Sequence, residues 1–130
     1  MEKREQEASY LAGMIDADGC IALNYNRDHY EVRVEVCQSS KSNLEKLQKL
    51  WGGRIQRGVR SHHLIWGRKE SVRYILEATL NYFKFKLDQA GIILLYIDEV
   101  ARGSGYHVDR EYADALYRQM KLLKREFYIS

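Results

Sequence analysis

Proline is absent from the 130 residues, and cysteine occurs only twice, at Cys20 and Cys37, with no Cys-x-x-Cys pair. That argues against a disulfide scaffold or a zinc ribbon, and both residues are expected to be plain thiols in a reducing compartment. A zinc site using Cys20, Cys37, His62 and His63 matches no common spacing and is the minor alternative. No apolar run is long enough to span a membrane: residues 92–97 are apolar, but Asp98 and Glu99 follow. The opening Met-Glu-Lys-Arg-Glu-Gln lacks the pattern of a signal peptide. A soluble, intracellular chain with no membrane partner is therefore expected. Charge of one sign is also scarce. The 21 basic residues exceed the 18 acidic ones by only 3, so the placement of charge, not its total, must carry any argument about nucleic acid.

The hydrophobic fraction of 45% suits one compact domain over residues 1–130. Residues 6–17 read as a helix, and Gly19 is expected to turn the chain sharply out of it. Residues 20–26 and 30–38 read as strands joined by a polar turn at Asn26-Arg27-Asp28. The second carries Val32, Val34 and Val36 alternating with Arg33, Glu35 and Cys37, the period of a half-buried strand. Ser42 and Glu45 have capping-box spacing ahead of a helix bearing Leu44, Leu47, Leu50 and Trp51, which Gly52-Gly53 ends. A second hairpin over 54–59 and 62–67, a helix over 70–82, a break near Phe83-Lys84 and a helix over 86–102 follow. A loop at Gly103-Ser104-Gly105 leads to a last helix capped by Asp109, with Tyr112, Leu116, Met120, Leu123 and Phe127 on one face. This order predicts an α+β fold, a four-stranded antiparallel sheet with helices on one face and the other face polar and open.

Residues 10–21 read Tyr-Leu-Ala-Gly-Met-Ile-Asp-Ala-Asp-Gly-Cys-Ile. Leu11–Gly19 resembles the signature of the LAGLIDADG homing endonucleases, with Met14 the only departure in nine residues, and no second copy occurs. The order of elements is similar to that family's αββαββα core, so the resemblance covers most of the chain. It implies a homodimeric, Mg²⁺-dependent, site-specific double-strand DNA endonuclease reading a long, partly palindromic site. In that resemblance Asp18 takes the place of the metal-binding carboxylate, and the Ala17 carbonyl that of a helper ligand. Gln38 matches a polar residue that positions water, and Lys86 a basic residue beside the scissile phosphate. For Lys86 a solvated lysine at a helix start, and for Gln38 a turn or cap residue, are the competing readings. The alternative function is a LAGLIDADG-like nucleic-acid-binding protein without cleavage, serving RNA splicing or transcriptional regulation, with intron RNA as a further partner.

The segment also has physics of its own. Ser9, Gly13 and Ala17 recur at spacing four, with Ala12 grouped beside them as a candidate dimer contact. Small residues let two helix backbones approach closely. Two copies meeting there bring two Asp18 carboxylates together, repelling each other unless a cation lies between, and Mg²⁺ suits such hard oxygen donors. Local turn hydrogen bonds are the other reading for both aspartates; Asp16 is assigned that structural role and Asp18 the metal.

Alternation then sorts the sheet. With the valines inward, Glu31, Arg33 and Glu35 face out. Ile21, Leu23 and Tyr25 inward leave Asn24 and Asn26 outward. Arg54, Gln56, Arg60, His63 and Ile65 complete the outer set. Its Asn, Gln, Arg and Glu side chains have the donors and acceptors needed at base edges in a major groove. A solvated sheet face would also be polar. Arg118, Lys121, Lys124 and Arg125 make a basic stripe that suits phosphates, Lys124 above all, or plain solvent. A strand of about eight residues spans about 27 Å, or about eight base pairs.

Overall fold

The computed structural model describes residues 2–102 and 109–129, with side chains as far as Arg125. The loop expected at Gly103-Ser104-Gly105 and the side chain of Phe127 lie outside the described residues.

Helix α1 runs Lys3–Asp18, and β1 (Gly19–Asn26) leaves it without a loop. Arg27 and Asp28 adopt φ of 48° and 70°, as a tight two-residue hairpin requires, and β2 (His29–Gln38) returns antiparallel. Helix α2 (Lys41–Trp51) leads through Gly52 and Gly53 into β3 (Arg54–Arg57) and β4 (His62–Trp66). Helix α3 (Lys69–Thr79), a 3-10 turn at Leu80–Tyr82, α4 (Leu87–Arg102) and α5 (Arg110–Ile129) complete the chain. The sheet order is β1-β2-β4-β3, antiparallel throughout.

One apolar core lies between sheet and helices. Ile21, Leu23, Val32, Val34, Val36, Leu64 and Trp66 enter it from the strands. Leu11, Ile15, Leu44, Ile75, Ile93, Leu116 and Met120 enter from the five helices. The buried Trp66 Nε1–H donates to the Trp51 carbonyl at 3.1 Å, tying the end of α2 to β4. The α+β expectation and the sidedness of the valines hold.

Five local details differ from the sequence reading. Helix α2 is capped by Ser40, whose hydroxyl accepts from the Asn43 N–H, two residues before the Ser42–Glu45 box. The hydrogen-bonded β3 ends at Arg57, and the last turn of the 70–82 segment tightens to 3-10 after Thr79. Tyr25 is 41% exposed, because it lies beyond the core at the hairpin tip, under the Arg110 guanidinium. Gly19 is extended, at φ −111°, so its backbone conformation does not demand glycine. Space does: an added Cβ would lie 2.6 Å from the Glu35 carbonyl oxygen and 2.7 Å from the Ile15 Cα.

Candidate DNA-cleavage site

The Asp-Ala-Asp-Gly end of α1 sends its two carboxylates in opposite directions. Asp16 points into the protein and is 8% exposed. It accepts backbone N–H bonds from Lys84 at 2.8 Å, Phe85 at 3.4 Å and Lys86 at 3.0 Å. Those are the groups that precede and open α4, whose first N–H groups have no partner within the helix. Asp16 is thus structural, as expected, but through a clamp about 70 residues away in sequence rather than a local turn. Asp18, two residues on, is exposed. Among the described residues no hydrogen bond or ion pair engages its carboxylate. The Ala17 carbonyl is one of the last four of the helix, which have no partner within it. A carboxylate and a backbone carbonyl are hard oxygen donors, so this donor set fits Mg²⁺.

Lys86 is not the solvated lysine of the competing reading, since it is 4% exposed. Its Nζ donates to the Ile15 carbonyl at 2.8 Å and the Gly19 carbonyl at 2.6 Å, bracing the junction that carries Asp18. Burial pushes its pKa below the usual lysine range, partly opposed by the neighbouring Cys20, Asp16 and Asp18 side chains. Lys124 reaches the same end of the molecule, its Nζ 3.5 Å from the Cys20 sulfur. Gln38, at the end of β2, lines a recess with Tyr10 and Met14 of α1.

The candidate dimer contacts separate. Gly13 and Ala17 are exposed and Ser9 is half-buried. Ala12 is wholly buried within the chain's own core, so it has no surface to offer a partner. It lies one residue off the Ser9-Gly13-Ala17 line, and in a helix that step of about 100° crosses to the other face.

The open sheet face carries the outer set. The register places Asn24 opposite Glu31, Ala22 opposite Arg33, and Gln56 opposite His63. Asn24, Asn26, Glu31, Arg54, Gln56 and Arg60 are exposed, the last in the β3–β4 connection. The acidic members are paired: Glu31 with His29 at 3.0 Å, and Glu35 with Arg33 at 2.8 Å and His63 at 3.2 Å. Ile65 is the exception. It faces this side but is 2% exposed, set between Glu35 and Arg54 in the register. It is the floor of the surface and not a contact residue. Sequence reading missed part of the rim. His29, Arg68 and Lys69 line a concavity with Asn24, Arg33 and Arg54. A basic pair directly after the fourth strand was the available signal.

An exposed carboxylate at a helix end, an exposed small-residue helix face and an open polar sheet together define a class. The description LAGLIDADG-like domain matches residues 5–76, more than half of the chain. The chain belongs to the LAGLIDADG family. Among solved structures it is similar to the homing endonuclease I-CvuI in complex with its target in the presence of calcium. That match has a TM-score of 0.79 and 26% identity, covering 92% of this chain and 83% of that one. It is also similar to I-Vdi141I, an archaeal intron-encoded homing endonuclease complexed with DNA, at TM-score 0.74 and 16% identity, covering 95% and 86%. I-SmaMI, bound to an uncleaved DNA target with calcium, matches at TM-score 0.73 and 17% identity, covering 94% of this chain but 49% of that one. No curated sequence relative matches. No helix among the described residues is long and apolar enough to cross a membrane.

Proposed function

We propose that this chain is a site-specific double-strand DNA endonuclease that works as a homodimer with Mg²⁺. The observation that carries the reading is the exposed Asp18, engaged by no hydrogen bond or ion pair among the described residues, at the end of a helix whose outer face is Gly13 and Ala17. Gly13 supports the dimer in particular. A mid-helix glycine costs about 1 kcal/mol relative to alanine, yet an added Cβ there would meet nothing within 4 Å among the described residues. The vacant space is accounted for by a second backbone. That this chain covers about half of I-SmaMI agrees with a need for two copies, and the DNA-bound I-CvuI supports the substrate.

In this reading the open sheet face lies in the major groove. Asn24, Asn26, Glu31, Arg33, Arg54, Gln56 and Arg60 meet base edges, Glu35 and His63, paired with each other at 3.2 Å, sit behind Arg33, and Lys124 meets backbone phosphate. Asp18 and the Ala17 carbonyl would hold Mg²⁺, which when bound supplies positive charge at the phosphate and a more acidic water. Lys86 fixes the α1–β1 junction and keeps a cation beneath Asp18, which lowers the cost of bringing two carboxylates to the dyad. Gln38 orients solvent at the same end.

Incubating the protein with a randomised duplex library and Mg²⁺, then sequencing the cut ends, tests this directly. One partly palindromic site is expected. Recovery of bound but uncut duplex would sink the cleavage assignment, and a site with no two-fold relation would sink the homodimer.

A further inference from the structure

The open face holds a second group of chemistry-bearing side chains, apart from Asp18. Glu35, Cys37 and His63 offer three ligand atoms that lie within 4.8 Å of one another. The Cys37 sulfur is 3.1 Å from His63 Nδ1, which is 3.2 Å from Glu35 Oε2. The three come together through pairing: Glu35 and Cys37 are two apart on β2 and share a face, and Cys37 lies directly opposite His63 on β4. All three are half-buried, which narrows the rotamers open to them.

The imidazole is also aimed. A Cβ at Gly58 would meet His63 Nε2 at 2.6 Å, so the bare glycine backbone receives that side of the ring. Nδ1 is thereby turned toward the thiol and the carboxylate. Among the described residues this is the one group of three or more His, Cys, Asp and Glu side chains so assembled.

We propose that Glu35, Cys37 and His63 form a Zn²⁺-binding site on the open sheet face, distinct from the hard-oxygen position at Asp18. Sulfur and imidazole nitrogen select a borderline-soft ion over Mg²⁺. Three protein ligands leave a tetrahedral ion one position for water. Bonds of about 2.0–2.3 Å put tetrahedral ligand atoms about 3.3–3.8 Å apart, a small adjustment from the separations present. On binding, the Cys37 S–H bond breaks, its proton goes to solvent and the S–Zn bond forms, while His63 binds as the neutral ring through Nδ1 with its proton on Nε2, with no change of oxidation state. Thiolate and carboxylate then balance the ion's two charges, and β2 and β4 are joined through it. The ion shares Glu35 with Arg33, whose guanidinium now holds the same carboxylate at 2.8 Å.

Titration of the full chain with Co²⁺ alone tests the site, because thiolate coordination gives a near-ultraviolet charge-transfer band that oxygen ligands do not. One Co²⁺ per chain with that band, displaced by Zn²⁺, is expected. Cys37→Ser should abolish the band and His63→Gln should weaken Co²⁺ binding at least tenfold. Cys20→Ser and Asp18→Asn should leave both unchanged. Circular dichroism of each variant separates loss of a ligand from loss of fold, and His63→Gln decides the matter if Cys37→Ser does not fold. Absence of the band in the parent chain, its survival in Cys37→Ser, or its loss in Cys20→Ser would overturn the site. None of these outcomes depends on whether the protein cuts DNA.

Discussion

From Ala8 onward the two faces of α1 are small or apolar apart from Asp16 and Asp18, and the molecule treats them in opposite ways. The inward face places Leu11, Ala12 and Ile15 at 0% exposure and Asp16 at 8%, satisfied by three backbone N–H groups. The outward face presents Tyr10 at 64% exposure, then Gly13, Ala17 and Asp18, all open to solvent. A helix that merely covered a core would carry charge on the outer side. The inner face is explained by this chain alone, whereas the outer face is not, and the comparison predicts that substitutions divide along it.

The largest separation should come from the two aspartates. Asp18→Asn is expected to lower Mg²⁺-dependent nicking by about a hundredfold or more, above the cost of losing an outer partner of a metal ligand. Thermal stability should hold, and metal-free DNA binding should hold or rise, since two negative charges near phosphate are gone. Measuring all three on one preparation distinguishes enzyme from binder. Nicking at the parent rate would remove Asp18 from the chemistry.

Next in size is the assembly. Gly13→Leu places a branched side chain where a partner backbone must approach, so sedimentation should find monomer and double-strand cleavage should be lost. Its circular dichroism should stay that of the parent, because within the chain the space is empty. An intact dimer by sedimentation would put the interface elsewhere. Asp16→Ala tests the inward face and should cost about 2–4 kcal/mol in urea unfolding, because it strands the buried N–H of Lys86 and the part-buried one of Lys84. Activity well below the melting temperature should survive. A stable Asp16→Ala protein without activity would reverse the roles given to the two residues.

What was legible in the sequence follows from how local the determinants are. Val32, Val34 and Val36 set their strand's sidedness by period alone, and Arg27-Asp28 closes its hairpin within two residues. The capping serine was misjudged because Ser40 and Ser42 lie two residues apart at the start of the helix, and only the chain's exit from β2 selects between them. Cys37 and His63 were grouped with Cys20 and His62 as the minor zinc alternative and Asp16 was assigned a structural role, but the partners of these residues and of Lys86 were out of reach for another reason. Their partners lie far off in sequence, at Ile15 and Gly19, at residues 84–86, and across the β2–β4 register. Ile65 was misread because alternation gives the face a residue points to and not what covers it. Ala12 shows the same limit on a helix, where a neighbour in sequence belongs to another surface.

The finest test uses the two glycines within the motif, Gly13 and Gly19. At Gly19 an alanine Cβ would press on the Glu35 carbonyl and the Ile15 Cα. Both are backbone atoms and cannot swing away, so Gly19→Ala should destabilise by about 1–3 kcal/mol, the usual cost of overpacking. That loss should be the same at every protein concentration, because the clash is internal. At Gly13 the same substitution improves helix propensity by about 1 kcal/mol and meets nothing in its own chain. A second copy packed there would be pushed off. Because association stabilises the folded state by mass action, Gly13→Ala should melt at or above the parent in the most dilute samples and below it in the most concentrated. Calorimetry or fluorescence melting over a wide dilution series reads the crossing of the two curves. If Gly13→Ala melted below the parent at every dilution, the outer face of α1 would be packed as tightly within the chain as the inner one, and the contrast between them would fail.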